Sequence, residues 1–186
     1  MELVYAHDRA EWRAYLAAHF ETSNEIWFVF PTNASGEKGV SYNDAVEEAL
    51  CFGWIDGRAG RFDETHHIRR FTPRRRGSRY SQPNIERLIW LEARGMIHPG
   101  VRDEILPVIR APFVYPPDIL EEVQKDAVVK ERFDSFSEPY RRIRIAYIEA
   151  ARKRPAEFEK RLRSFIDKTR QGRLIAGYGG IEKFYR

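Results

Sequence analysis

The stretch Glu25-Ile-Trp-Phe-Val-Phe30, closed by Pro31, constrains the fold more than any other segment of the chain. Aromatic and β-branched residues with few polar breaks suit a strand buried in the centre of a sheet. Pro31 lacks the N–H that a ladder needs, so the strand ends there. Three more strands are expected around it, at 4–5, 52–58 and 66–72. The second of these closes in an Asp-Gly turn at Asp56–Gly57, where glycine tolerates positive φ. The third returns after Asp63-Glu64-Thr65.

Helices fill the intervals. Asp8 is a helix cap before 9–20, where Trp12, Tyr15, Leu16 and Phe20 recur at helical spacing and mark a core face. Ser41 opens a helix through about Phe52, with Ala45, Val46, Ala49 and Leu50 as its buried stripe. Glu47 and Glu48 are expected to face solvent. Neighbouring residues on a helix point apart, which argues against an acid/base pair. Ser81 caps a helix to about Arg94, with Ile85, Leu88, Ile89 and Glu92 on one face and Gly95 as its C-cap. A short helix over 101–109 is expected to break at Pro107. The fold class is α+β: a small mixed or antiparallel sheet packed by helices, followed by a C-terminal helical hairpin.

Ala111-Pro-Phe-Val-Tyr-Pro-Pro117 carries three prolines in seven residues and reads as a stiff linker. It divides an α+β domain, 1–110, from a helical region, 118–186. Within that region, helices are expected at 118–126 and 127–136. The next begins at Ser137, with Tyr140, Ile143, Tyr147 and Ala150 on one face. Another covers 155–171, with Phe158, Leu162, Phe165 and Ile166 on its stripe and Gly172 at its end. The tail 173–186 is expected to be mobile or irregular.

Composition excludes several classes. A chain of 186 residues with 42% hydrophobic and 13% aromatic content can bury a core and is not wholesale disordered. Cys51 is the only cysteine, so no intrachain disulfide forms, and its apolar surroundings suit an inert buried thiol. The N-terminus lacks a signal-peptide pattern, and no apolar run is long enough for a bilayer, so a cytoplasmic location is expected. No phosphate loop, dinucleotide fingerprint, HExxH, CxxC or GxSxG element occurs. Adjacent His66 and His67 would point to opposite faces of a strand, which leaves no metal cluster. No cofactor is implied.

The chemistry concentrates in 50-LCFGWIDGRAGRFDETHHIRRFTPRRRGSRYSQPN-84. Eight arginines between Arg58 and Arg79 face only Asp63 and Glu64, a net charge of +6. Arginine meets carboxylate or phosphate oxygens with a planar fork and stacks on aromatic rings. The site expected from this stretch comprises Trp54, Asp56, Arg70, Arg74, Arg75, Ser78 and Asn84. Arginine would pair an anion, Trp54 would stack on the ligand, and Asp56 would orient an arginine. Ordinary structural roles stand beside these: a solvated charge run, a core tryptophan, and a simple cap at Ser81 and Asn84. A second basic stretch, 141–173, carries twelve Lys and Arg against four acids, and its plainest reading is the polar face of a helical hairpin.

Three functions fit. The first is a non-enzymatic binding protein for an anionic ligand or acidic partner. The second is a nucleic-acid binder using both basic patches. The third is an enzyme acting on a phosphorylated or carboxylated small molecule, with Asp56 as acid/base. The net charge of +4 permits all three.

The strings 45-AVEEALCFGWIDG-57, 70-RFTPRRRGSRYSQPN-84 and 94-RGMIHPG-100 resemble the YdeI/OmpD-associated family, also called the bacteriocin-protection family. The runs 140-YRRIRIAYIEAARKRP-155 and 158-FEKRLRSFIDKTRQG-172 are similar to that family's C-terminal helices, although Tyr80 and Tyr147 stand where the family is expected to carry Trp. The resemblance implies a link to resistance against bacteriocins or antimicrobial peptides and an association with an outer-membrane porin. It brings no catalytic residues.

Overall fold

A computed structural model describes residues 2–176 and 182–185. The chain divides into two compact units. The first holds residues up to 80 together with 87–110, and the second holds 81–86 together with the chain from 111 onward.

The first unit is built on a four-stranded sheet. Its strands are β1 (Leu3–Val4), β2 (Ile26–Pro31), β3 (Trp54–Arg61) and β4 (His66–Pro73), in spatial order β1-β2-β4-β3. β1 runs parallel to β2, while β4 is antiparallel to both β2 and β3, so the sheet is mixed. β2 takes an inner position, as its sequence demands, with Ile26 and Phe28 fully enclosed.

α1 (Arg9–His19), α2 (Tyr42–Cys51), α3 (Gln82–Glu92) and α4 (Pro99–Arg110) complete the elements of this part of the chain. Asp8 caps α1 by accepting from the Glu11 amide, and Ser41 caps α2 through the Asp44 amide. The core joins Trp12, Leu16, Ile26, Phe28, Leu50, Trp54, Phe71 and Leu88. Each such side chain contributes about 1.5–3 kcal/mol by leaving water. Gly53 turns the chain from α2 into β3 at φ 72, a conformation that favours glycine.

Four expectations about this unit change. The chain does not reverse at Gly57, because β3 continues to Arg61 across a register shift between Asp56 and Ala59. The reversal lies at residues 62–65, where Asp63 Oδ1 accepts from the Thr65 amide at 2.7 Å. Glu47 and Glu48 do not face solvent; they are 0% and 1% exposed. α4 is continuous through Pro107, which sits on its exposed side, where the freed carbonyl needs no protein donor. On α3, Leu88 and Leu91 are buried, whereas Ile89 is exposed.

The second unit contains α5 (Pro117–Gln124), α6 (Ala127–Ser135), α7 (Glu138–Glu149) and α8 (Pro155–Arg170), four α-helices among the described residues, in the positions expected. Its core includes Ile119, Val123, Val129, Phe133, Tyr140, Ile143, Ile148 and Phe165. On α7 the buried face is Tyr140, Ile143, Arg144, Ile145 and Ile148, shifted from the expected stripe. On α8 only Phe165 and Thr169 are fully enclosed. Tyr115, in the proline-rich segment, packs edge-on against Phe133 at 6.4 Å. Part of the tail, residues 177–181, lies outside the described residues. Among the described residues no helix is long and apolar enough to cross a membrane.

Candidate functional site

The expected site residues do not converge on one point. Trp54 is 1% exposed, and its indole N–H donates to the Phe20 carbonyl at 3.1 Å, so it presents no face to a ligand. Asp56 accepts from the Tyr42 hydroxyl at 2.8 Å and from Arg69 Nη1 at 3.0 Å. Arg70 lies on an exposed position of β4 and donates from Nε to Glu25 Oε2 at 2.5 Å. Asn84 belongs to the second unit.

Arg74, Arg75 and Ser78 do share one feature, the turn that follows β4. The Arg74 amide donates to the Gly53 carbonyl at 2.9 Å and extends the hairpin by one bond. Its Nη2 reaches back to the Ser78 carbonyl (3.1 Å), Ser78 Oγ (2.9 Å) and the Arg79 carbonyl (3.0 Å). The same guanidinium lies 3.5 Å over the Tyr80 ring. The Ser78 amide closes the turn on the Arg75 carbonyl at 3.0 Å, with Gly77 at φ 76 on its apex. Arg74 is therefore a clamp that fixes the loop, not a free anchor. Arg75, Arg76 and Arg79 are exposed and make no ion pair among the described residues.

A second cluster lies between α2 and the hairpin. The Arg69 guanidinium stacks 4.5 Å from the Tyr42 ring while Nη1 holds Asp56. Burial, and then the Asp56 carboxylate, push the Tyr42 phenol up to about 12. Burial lowers the pKa of the nearby Arg87, which donates to Asn43 Oδ1 at 3.1 Å. The notion that Asp56 orients an arginine fits this geometry, with Arg69 as that arginine. Tyr42 and Arg69 escaped sequence reasoning, since nothing local distinguishes Tyr42 from any first-turn residue or Arg69 from its seven neighbours in the run.

Arg9 and Arg13, one turn apart on α1, cover the two buried glutamates of α2. Arg9 bonds Asp44 (2.8 Å), Glu47 (3.0 Å) and Glu48 (2.5 Å), and Arg13 bonds Glu48 at 2.6 Å. One guanidinium thus does bridge adjacent glutamates. Burial, and then Glu48, push the thiol of Cys51, beside this cluster, up to about 12. His66 pairs with Asp63 and lines no metal site; among the described residues no group of three or more His, Cys, Asp or Glu could hold a metal.

The basic stretch of the second unit is thinned by pairing. Arg142 grips the buried Glu86 with two bonds of 2.7 and 2.8 Å. Arg141 pairs with Glu138, Arg152 with Asp118 and Glu149, Arg161 with Glu157, and Arg170 with Asp126 and Asp167. The expected reading as the polar face of packed helices agrees with this pattern.

These features define an α+β protein whose first unit carries an arginine turn on a mixed sheet and whose second unit is helical. The family model described as Domain of unknown function (DUF8412) matches residues 4–104, more than half of the sequence, and the chain belongs to that family. Residues 112–172 match a second model, described as Bacteriocin-protection, YdeI or OmpD-Associated. The resemblance to the YdeI/OmpD-associated family thus stands over the helical region, whereas the FGWIDG and RFTPR strings fall within the span of the first model. Comparison with curated proteins and with solved structures gave no match.

Proposed function

We propose that the protein is a non-enzymatic binding protein whose first unit docks an acidic partner on the turn at residues 74–79. One observation carries this reading: Arg75, Arg76 and Arg79 are exposed and make no ion pair among the described residues, on a loop whose shape is fixed by Arg74. Flexible surface arginines lose side-chain and loop entropy on binding, and a clamped loop loses less. No large apolar side chain is exposed within the turn, so recognition rests on charge and on the guanidinium fork. A part in bacteriocin protection, as the description of the C-terminal match reads, belongs to this proposal as the setting in which that partner is held.

Fluorescence anisotropy with labelled poly-glutamate tests it, with single-stranded DNA of matched length as the competing probe. Poly-glutamate is expected to bind at low salt, to weaken as salt rises, and to lose roughly tenfold in affinity in the Arg75→Ala/Arg76→Ala/Arg79→Ala variant. Unchanged affinity in that variant refutes the assignment of the turn. Preference for DNA with a steep salt slope transfers the turn to a nucleic-acid role.

A further inference from the structure

The first unit also contains a cavity of about 510 Å³ on the sheet, roofed by the loop between β2 and α2. That size falls within the range of small-molecule sites. It is separate from the arginine turn, none of whose residues line it. We infer that this cavity is a binding site for a small aromatic monocarboxylate, with Arg69 as its anion anchor and Phe30 and Tyr42 as the wall for its ring.

Four features converge on that class. Phe30 and Tyr42 meet at 64° with ring centroids 6.3 Å apart, which forms an aromatic corner on the sheet face that also carries Arg69. A flat apolar body packs into such a corner better than a hydrated chain. Arg69 donates only from Nη1, to Asp56 at 3.0 Å and the Gly57 carbonyl at 3.2 Å. Its Nε and Nη2 have no partner among the described residues, and together they form the guanidinium edge that takes a carboxylate in two parallel bonds. Stacking on Tyr42 and the bond to Asp56 hold the fork in place before a ligand arrives. Thr32 Oγ1, in the wall, has no hydrogen-bond partner among the described residues, so a change of its rotamer toward the cavity supplies one further polar contact.

The charge balance limits the anion. Asp56 is bonded to Arg69, and Glu37 lines the same cavity. A doubly charged phosphate would meet these two carboxylates with twice the repulsion that a single carboxylate meets. Ala59 pairs with Arg69 across the ladder, shares its face and lines the cavity, so a larger side chain there projects into the cavity without breaking the strand.

Isothermal titration calorimetry of the full chain with benzoate, benzamide, acetate and phenyl phosphate tests the proposal. Benzoate is expected to bind at least roughly tenfold more tightly than each of the other three. Ala59→Leu is expected to abolish benzoate binding while the melting temperature stays near the wild-type value. Arg69→Gln is expected to weaken benzoate roughly tenfold and to leave benzamide unchanged. The triple variant of the arginine turn is expected to bind benzoate normally, which keeps this result independent of the function proposed above. No benzoate binding at millimolar concentration overturns the inference. So does equal binding of benzamide, which would mean an apolar slot only, or full affinity in Ala59→Leu, which would place the ligand elsewhere.

Discussion

Two arginine clusters of the first unit show opposite uses of the same side chain. At α1, Arg9 and Arg13 meet Asp44, Glu47 and Glu48, and every charge there has an opposite charge within bonding distance. At the turn after β4, Arg75, Arg76 and Arg79 have no such partner among the described residues, and the one engaged neighbour, Arg74, bonds carbonyls and a hydroxyl instead of a carboxylate. The α1 cluster ties one helix to another through buried acids. The turn leaves its charge exposed to solvent. The contrast teaches that a count of basic residues does not locate a binding surface; the placement of acids does.

The largest effect on this comparison comes from a residue that belongs to neither cluster. Trp54→Ala is expected to cost about 4 kcal/mol, because a fully enclosed indole leaves a cavity and the Phe20 carbonyl loses its donor. Urea denaturation measures it. A loss below about 1 kcal/mol, as for a surface substitution, would return Trp54 to the role of an exposed platform. Next, Glu48→Ala removes a buried carboxylate shared by two arginines, for an expected loss of about 3 kcal/mol by the same measurement. A neutral outcome would mean that the α1 cluster contributes no more than ordinary surface pairs do.

Asp56→Asn sharpens the boundary between the two uses. It weakens the hold on Arg69 and Tyr42, and a loss of about 1–2 kcal/mol is expected. The phenol provides a separate readout. Since folding raises the Tyr42 pKa to about 12, its contribution to stability is complete below the unfolded value near 10 and is lost as pH rises from there through 12. Ultraviolet titration should find Tyr15 and Tyr42 among the tyrosines that ionise late in the wild type, and one late tyrosine fewer in Asp56→Asn. The smallest effect is expected at Cys51. Its buried thiol should react with a thiol reagent only upon unfolding, so native protein that labels at once would contradict its placement.

Much of the fold was legible in the sequence because local signals and burial agree there. The aromatic run of β2, the caps at Asp8 and Ser41 and the C-cap at Gly95 each act over a few residues. The family resemblance was legible too, and the match over 112–172 bears it out. What escaped depends on distant partners. Glu47 and Glu48 look like a solvent face until Arg9, nearly forty residues away, is brought over them. The Asp56–Gly57 pair looks like a turn, but the register shift accommodates both residues inside a longer strand. Tyr42 and Arg69 become neighbours only when α2 meets the hairpin. Sequence pointed to the Arg-rich stretch, but it could not separate the clamp, Arg74, from the unpaired arginines beside it.

The account's central claim is that, of the two arginine clusters compared, the unmatched turn binds and the matched α1 cluster holds the fold. The most direct test is a side-by-side measurement of poly-glutamate affinity and melting temperature in two variants of the full chain, Arg75→Ala/Arg76→Ala/Arg79→Ala and Arg9→Ala/Arg13→Ala. The account predicts a double dissociation. The turn variant should lose affinity roughly tenfold and keep its melting temperature, while the α1 variant should melt several degrees lower and keep its affinity when assayed well below its melting point. Loss of stability in the turn variant with affinity intact, or loss of affinity in the α1 variant, would contradict it.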